Sequence, residues 1–472
     1  MIRYVVKYDG TSTLYDSFDP DTYPIVSGSC NVEVNGAGSM SLSIPVTNSL
    51  VDDLKQMGPS ITLIVSAYSE SGLLIDEYIP FHGRILSLNK DMYGNVSVEC
   101  EGALNFLNDV VFYGDPGYIA IYPFSDHSVF SIIAQSILFY NSNSGNDLSN
   151  DYGRKYIFPG YGQASQYEDL YPQYSYSGKE KDHTDSTKIL ELLMEIIVQY
   201  IGGFFKTDFE LTNGQYVTSL TYSALNSGMS GPETGYTERL VYDNEAGLIE
   251  VPGYSSYSLS NLPEFSFGDN ITSYENQKSI DEIYTAIYPT GSNFALRGGH
   301  DAGVTPIVSK DGYTLNTFGS AIYKDDMIDK YGYIEKAVQF GDIALEEEEG
   351  GGSTYHQWET ACSHLIDAAL QWADQHFVDF SDKYVIKGLE PIEFKTTETI
   401  ESSTDPGEEM ETVVSYLVRI MYGVKFKDSV KGIETILPCL GIKYDLVNHG
   451  NNEYTIGPLI PESYNETNIS NS

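Results

Sequence analysis

Residues Phe81 to Gly102 read FHGRILSLNKDMYGNVSVECEG, with a histidine, an arginine, a cysteine and several acids close together. Such a density of reactive side chains is typical either of a reaction centre or of one wall of a β-barrel. Phe81 and Ile85 alternate with His82 and Arg84, so a strand would place the polar pair on the face opposite the apolar pair. The alternation therefore favours a strand.

The second half of the stretch completes a hairpin. Residues 91–95 are turn formers, and Val96, Val98 and Cys100 would share one face of a returning strand. A β-hairpin thus explains the whole stretch without catalysis, and we expect Arg84 to pair with an acid.

Strand signals fill residues 1–108, which we predict to be an N-terminal antiparallel barrel or sandwich. Turn residues separate the candidate strands. These read IRYVVKY, SCNVEV, SMSLSIPV, ITLIVSAYS, LLIDEYIPFHGRILSL and NVSVEC.

The composition limits the function classes. The 472 residues are 41% hydrophobic, enough for roughly two to four domain cores. Because 67 acids face 26 bases, with a net charge of −41, the chain lacks the basic footprint of a nucleic-acid-binding protein. The start, MIRYVVKYDG, has no signal-peptide core, and the apolar run 189–205 contains two acids, so we expect neither an export signal nor a membrane span.

Helical periodicity begins at EGALNFLNDVVF and returns in DSTKILELLMEIIVQYIGG, within a predicted helix-containing domain at residues 109–204. Between them lies a polar loop, residues 141–182, rich in tyrosine. Its aromatic side chains could contact a sugar or a protein partner, or simply hold the loop down. The seven tyrosines are Tyr152, Tyr156, Tyr161, Tyr167, Tyr171, Tyr174 and Tyr176.

Residues 205–345 are predicted to form a β-rich intermediate domain, and residues 346–457 a helix followed by a second barrel segment. The helix spans about His356 to Phe377, and its apolar face includes Cys362. The remainder predicts four antiparallel strands, in VIKGLEPIEFKTTETI, ETVVSYLVRIMYGVKF, KGIETILPCLGIKYDL and NNEYTIG. Residues 458–472 resemble a polar tail. The predicted class is therefore α+β, mainly β, with several domains.

Catalytic and metal-binding patterns are weak. Cys362 and His364 would lie about 200° apart on a helix, and Cys439 and His449 are separated by a strand and a turn. No histidine pair has HExxH spacing, and no phosphate-binding GxxxxGK[ST] run occurs. The four separated cysteines predict buried thiols. We predict no catalytic residues, no metal and no cofactor.

FHGRIL at 81–86 and VECEGALNFLND at 98–109, followed by IGGFF at 201–205, resemble in their order the motifs of phage tail proteins known as minor structural proteins, tail-associated lysins or prophage endopeptidase tails. The likeness implies that the N-terminal barrel, residues 1–108, docks on the tail tube. FGDNI at 267–271 and TAIYPTGS at 285–292 extend the likeness over about residues 1–457, and a C-terminal hydrolase is missing from the pattern. The residues that carry the signature are Phe81, Gly83, Arg84, Cys100, Glu101, Gly102, Leu107, Asp109, Gly202 and Gly203.

The resemblance implies a baseplate-hub fold with two antiparallel barrel domains per chain. It also implies a homotrimeric ring at the distal end of the virion tail, where a hexameric tube meets a threefold tip. The implied partners are a distal tail protein or tube ring, a tape measure protein and tip or receptor-binding proteins. DNA would pass during ejection and host cell entry without specific binding, and an acidic wall would help it slide.

Two other function classes stay open. A tail-associated peptidoglycan hydrolase would need an active site in the segments without a counterpart in the resemblance. A receptor- or glycan-binding tail protein would use the tyrosines of residues 152–176.

Overall fold

The computed structural model is mainly β, with a few helices. It describes residues 1–112 except 58, 70 and 71, and then 127–128, 136–140 except 138, 156–157, 173–174, 187–194, 204–212 and 215–223. From there it describes 263–277, 283–296, 312–315, 320–345 except 342, 355–377, 383–390, 394–402, 405–414, 417–420 and 423–457.

Seven strands build the N-terminal part. They are β1 Ile2–Tyr8, β2 Ser12–Asp16, β3 Ser27–Glu33, β4 Ser39–Ile44, β5 Ser60–Tyr68, β6 Leu74–Lys90 and β7 Val96–Gly102. All their pairings are antiparallel, as the alternating sequence predicted, and the short β2 was missed by that reading.

Strands β6 and β7 form the predicted hairpin. Residues 91–95 make the turn, and the side chains of β7 alternate strictly between buried and exposed from Val96 to Cys100. A bulge between Ile85 and Ser87 interrupts the ladder, and Leu86 at this point is exposed. The face that carries His82 is also buried, because a later strand covers it.

The covering strand, β13, belongs to the middle of the chain. The elements described in that part are β8 Val111–Phe112, β9 His127–Ser128, β10 Tyr156–Ile157, β11 Gln173–Tyr174, β12 Thr187–Lys188, helix α1 Ile189–Leu193, β13 Phe204–Thr212 and β14 Gln215–Ser223. The Phe209 ring of β13 lies 5.6 Å from the His82 ring. Asn35 fixes the start of β13, since its side chain accepts the Phe205 N–H at 2.7 Å.

One predicted helix is tighter than expected. Residues Ala103–Asp109 form a 3-10 helix instead of the α-helix that the periodicity of EGALNFLNDVVF indicated. Gly102 supplies no side-chain cap, and Val111 already pairs with Lys188 in a two-stranded sheet, so no room is left for further turns. Helix α1 lies within the segment DSTKILELLMEIIVQYIGG, where the second helix was predicted.

Two strands, β15 Glu264–Ser266 and β16 Ile271–Gln277, belong to the large sheet described below. A second unit packs around a long helix. Its elements are β17 Ala286–Gly291, β18 Tyr313–Leu315, β19 Ile322–Lys324, α2 Asp325–Tyr331, β20 Glu335–Phe340 and α3 Tyr355–His376. Strands β17 to β20 make a four-stranded sheet. The predicted face of α3 packs on it through Cys362, Leu365 and Trp372, which confirms that helix.

From residue 383 onward, the described residues form six strands, where the sequence predicted four. They are β21 Lys383–Gly388, β22 Phe394–Ser402, β23 Asp405–Val414, β24 Gly423–Asp428, β25 Ile433–Asp445 and β26 Glu453–Ile456. The first predicted strand corresponds to two strands, β21 and β22. The second divides between β23 and β24, where the N–H groups of Leu417 and Val418 donate to the carboxylates of Asp76 and Glu390.

The two ends of the chain share one sheet. Its thirteen strands run in the order β16-β21-β26-β25-β3-β4-β7-β6-β5-β1-β2, with β24 on β25 and β15 on β24. The central joint is the antiparallel pair β3–β25, in which Cys30 faces Tyr444. One hydrophobic core fills the inside and draws side chains from both ends of the sequence. The predicted division into domains stays a prediction.

Candidate functional site

The signature arginine lies in a buried ion-pair joint. Arg84 is 6% exposed; its Nε donates to Glu101 at 2.6 Å and its Nη2 to Asp109 at 2.8 Å. The guanidinium carbon lies 5.0 Å from the centre of the Phe106 ring. Burial lowers the pKa of Arg84, but the hydrogen bonds to both carboxylates outweigh it and raise the pKa. The expectation that Arg84 pairs with an acid is confirmed.

Two glycines let the backbones meet beside this ion pair. Gly83 and Gly102 lie opposite each other in the β6–β7 ladder. A Cβ on Gly83 would lie 2.0 Å from the Glu101 carbonyl oxygen, and a Cβ on Gly102 would lie 1.6 Å from the Ala37 carbonyl oxygen. The Phe81 ring covers both positions. These are close approaches that only glycine permits.

The structure therefore brings six of the ten signature residues into contact at one place, which we call the hairpin joint. Its members are Phe81, Gly83, Arg84, Glu101, Gly102 and Asp109. Cys100 lies in the same ladder opposite Ile85, and Leu107 is buried in the 3-10 helix that ends at Asp109. Gly202 and Gly203 lie outside the described residues. The joint has a charge partner for its arginine and a packed glycine contact, which make a rigid corner. Its role as a family signature stays a prediction.

His82, next to the hairpin joint, is a buried residue that hydrogen-bonds within the protein interior. Its Nδ1 lies 2.9 Å from the Thr62 hydroxyl, and both side chains are completely buried. A histidine–hydroxyl pair resembles the start of a nucleophile–base couple, but a catalytic couple must reach a substrate. Within the described part of the chain, this pair is covered by the Phe209 ring on the outside and by the sheet on the inside.

All four thiols are free and buried, as the sequence predicted. Burial raises the pKa of Cys362 to about 11 and raises the pKa of Cys30, Cys100 and Cys439 further. A thiol at neutral pH is then fully protonated and a poor nucleophile. The thiols behave as small apolar core side chains.

A second buried polar group was missed by the sequence reading. Glu390 is 4% exposed; its carboxyl accepts the Val418 N–H at 2.8 Å and the Tyr454 hydroxyl at 3.3 Å. Burial raises the pKa of Glu390 to about 8, although these hydrogen bonds and the nearby Arg419 act to lower it. The carboxyl is therefore mainly protonated at neutral pH.

Tyrosine hydroxyls extend this cluster across the core. Tyr78 donates to the Val418 carbonyl at 2.9 Å and also bonds Tyr444, while Asn452 donates to Tyr4 at 2.7 Å and to Tyr454 at 3.1 Å. We call Glu390 and these five side chains the tyrosine cluster. It ties β1 and β6 to β25 and β26, so it fastens the two ends of the chain together.

One ion pair flanks the tyrosine cluster. Arg419 pairs with Asp76 at 2.6 Å and lies over the Tyr78 ring. Sequence spacing gave no signal for this contact, because 343 residues separate the two partners. Glu390 gave none either, since it precedes a proline and falls outside the alternation of β21. Tyr444 and Tyr454 lie on strands that the sequence predicted. The sequence alone, however, did not indicate which side chains their hydroxyls would contact.

An open groove of about 500 Å³ lies on the outer face of the sheet. Serines from three neighbouring strands line it, among them Ser29, Ser41 and Ser97, together with Glu99 and Lys443. Glu99 accepts the Ser41 hydroxyl at 2.6 Å. Such a surface can form hydrogen bonds, but a serine nucleophile needs an adjacent base with access to its proton.

Other predicted contacts lie largely outside the described residues. Tyr156 and Tyr174 belong to the short strands β10 and β11, and the other five tyrosines of that loop are not among the described residues. In the described ranges, no three His, Cys, Asp or Glu side chains gather closely enough to hold a metal ion. Every helix in that part of the chain is too short or too polar to cross a bilayer.

Comparison with known proteins gives likeness to solved structures alone. No family model matches the chain, and no curated protein matches it. The prophage MuSo2 43 kDa tail protein from Shewanella oneidensis is 12% identical, with 98% of this chain and 99% of that chain covered and a TM-score of 0.45.

Two further solved tail proteins are similar over almost their full length. The tail protein from Neisseria meningitidis MC58 is 10% identical, with 98% of each chain covered and a TM-score of 0.47. Prophage tail protein gp18 from Listeria monocytogenes EGD-e is 10% identical, with 96% of this chain and 94% of that chain covered and a TM-score of 0.38. At these values, the likenesses alone assign neither a family nor a function to this chain.

Proposed function

We propose that this chain is a structural hub of a phage tail tip or baseplate. In this proposal, three copies form a ring in which two barrel domains per chain adapt a hexameric tail tube to a threefold tip. The ring lines the channel through which DNA leaves the virion. Its neighbours are a distal tail protein or tube ring above, with a tape measure protein and tip proteins around it.

The observation that carries the proposal is the hairpin joint. The residues that resemble the tail-hub signature are spread over 29 positions of sequence, from Phe81 to Asp109, yet six of them meet in one ion pair and glycine contact. A joint of this kind fixes the angle between the hairpin and the segment that follows it. Rigid walls are what a ring that bears other rings requires.

The charge supports the same function. Each chain carries −41, so three chains would surround a channel with about −120, which repels phosphate and lets DNA slide. The buried thiols and the enclosed His82 fit a chain that works as a scaffold. Like charges in a ring repel one another, so the interfaces between copies must bury enough apolar surface to offset that cost.

The test is the mass of the purified chain and its position in the particle. Three chains of 52.4 kDa predict about 157 kDa by light scattering. Gold-labelled antibody against the chain should mark the distal end of the tail in electron micrographs. A chain that stays at 52 kDa at high concentration and never enters a tail would overturn the proposal, as would label spread along the whole tube.

A further inference from the structure

Exposed apolar side chains lie in a row at one end of the large sheet. They belong to four neighbouring places in the sheet, namely the end of β25, the start of β3, the end of β4 and the β6–β7 turn. The members of this apolar strip, with their exposed fractions, are Val447 51%, Val26 61%, Val46 52%, Met92 87% and Tyr93 74%.

Backbone contacts show that the strip is continuous. The Leu446 N–H donates to the Gly28 carbonyl at 2.9 Å, which puts Val447 beside the start of β3. The Val26 N–H donates to the Ser43 carbonyl at 2.7 Å, which puts Val26 beside the end of β4. Residue Val46 reaches the hairpin turn, since a Cβ on Gly94 would lie 3.0 Å from its side chain.

The turn that carries the two largest side chains is fixed by its own hydrogen bonds. The Asp91 carboxylate accepts the N–H groups of Tyr93 at 2.8 Å and Asn95 at 2.9 Å, and the Asn95 side chain at 3.0 Å. The turn therefore holds the backbone of Met92 and Tyr93 in a set position. Tyr and Met are side chains enriched at protein interfaces.

Each end of the strip carries an acid held in its own turn. Asp91 stands at the Met92 end, and Asp445 stands at the Val447 end, where it accepts the N–H groups of Val447 at 3.1 Å and Asn448 at 2.8 Å. Hydrogen bonds lower the pKa of Asp91, and they lower the pKa of Asp445 against the opposing effect of burial. Both carboxylates are thus charged at neutral pH.

These contacts also argue against pairing of the strip with the same strip of a second copy. Two strips packed face to face around a twofold axis would set an acidic end of one copy against an acidic end of the other, whichever way they ran. Like charges brought together in an interface cost affinity. Lys90, whose side chain lies beside Gly94 of the turn, is already paired with Asp52 at 2.8 Å.

We propose that the apolar strip docks a different protein, whose contact patch is apolar at its centre and carries Lys or Arg at both ends. The inference rests on the proposed function, since the partner is a neighbouring protein of the tail. Apolar side chains would supply the contact area, and the two basic groups would set its direction along the strip.

The first test places a photo-crosslinking amino acid at Tyr93 in the full chain and exposes assembled tails to light. The control carries the same amino acid at Tyr333, which is 50% exposed and lies beside the β17–β20 sheet. We expect Tyr93 to capture a different tail protein at an apolar segment bordered by Lys or Arg. Capture of a second copy alone, of an acidic segment, or of nothing in tails that contain the chain overturns the inference.

The second test measures affinity between the purified chain and the purified protein captured at position 93. Met92→Ser with Tyr93→Ser should weaken binding at least tenfold, while the thermal midpoint stays that of the parent. Asp445→Asn should flatten the dependence of Kd on salt. Unchanged affinity in the double variant overturns the inference. A chain that still forms trimers and enters tails in that case leaves the proposed function intact, so the two failures are distinguishable.

Discussion

Arg84 and Asp109, 25 residues apart in sequence, form a two-point ion pair that closes the hairpin joint. Arg84 has 7% of its side chain exposed, whereas Asp109 has 34%. The two partners therefore stand in different environments. Two carboxylates offset the cost of burying the arginine, and the aspartate remains in contact with water.

We expect Arg84→Met to lower the free energy of unfolding by about 3 kcal/mol, because it leaves the Glu101 carboxylate, whose side chain is 14% exposed, without its positive partner. Asp109→Asn should cost less, since Glu101 still neutralises the arginine. Urea unfolding followed by circular dichroism measures both. Lys90→Met is the matched control: its pair with Asp52 is 53% and 80% exposed and should be worth under about 0.5 kcal/mol. Equal losses of unfolding free energy in Arg84→Met and Lys90→Met would contradict a stabilising role for the hairpin joint.

The glycine contact predicts a steric effect. Gly102→Ala sets a Cβ 1.6 Å from the Ala37 carbonyl oxygen, so the two strands must separate. We expect a loss of about 3 kcal/mol or failure to fold. Gly341→Ala is the control, because an added Cβ there meets nothing within 4 Å. The thermal midpoints of the two variants, measured side by side, test this prediction. Similar midpoints would show that Gly102 does not lie as close to the Ala37 carbonyl oxygen as described.

Glu390 predicts a dependence of stability on pH. Its pKa is about 8 in the folded chain and 4.5 as an ordinary carboxyl, so between these values the folded chain holds a proton that the unfolded chain releases. Its contribution is thus full below pH 4.5 and is lost as the pH rises to 8, by roughly 5 kcal/mol at most. Asp76, Arg419 and the tyrosine cluster surround it.

Glu390→Gln removes the titrating group and keeps a hydrogen-bonding side chain of the same shape. In urea unfolding at pH 5, 7 and 9, the variant should lose the downward slope and exceed the parent at pH 9. Parallel curves for the two proteins would show that Glu390 is ionised at neutral pH. His376 acts in a lower window, since burial lowers its pKa to about 4, and it is present in both proteins.

The buried thiols should not react with alkylating reagents in the native protein. All four are buried, and burial keeps them protonated, so iodoacetamide at pH 7.5 should leave the native chain unlabelled. After unfolding in guanidinium, mass spectrometry should find four additions. Rapid labelling of Cys362 in the native state would show that helix α3 opens from its sheet.

The local parts of the fold could be predicted from sequence. Period-two alternation in residues 81–100 defines the hairpin, and the four- and three-residue steps of α3 define its packed face. These signals are local because each depends on side chains a few positions apart. The type of the 3-10 helix was misjudged, since the apolar spacing over its seven residues does not distinguish it from an α-helix.

The long-range contacts could not be predicted in the same way. That Arg84 needs an acid follows from its position in a strand, but Asp109 was one of 67 candidates in the chain. Glu390, Tyr78 and Asn452 come together only through the pairing of β3 with β25. No periodicity encodes which strand lies beside which, because pairing between distant strands depends on the packing of the whole core.

The β3–β25 pair also sets the timing of folding during synthesis. Strand β3 is complete at Glu33, whereas the residues that face it run from Gly441 to Asp445. At translation rates of about 5–20 residues per second, roughly 20–80 seconds pass between the two. For that interval β3 has an open edge, and unpaired edges are where nascent chains pair wrongly or aggregate. The large sheet can therefore be completed only at the end of synthesis, when residues 441–445 become available to β3.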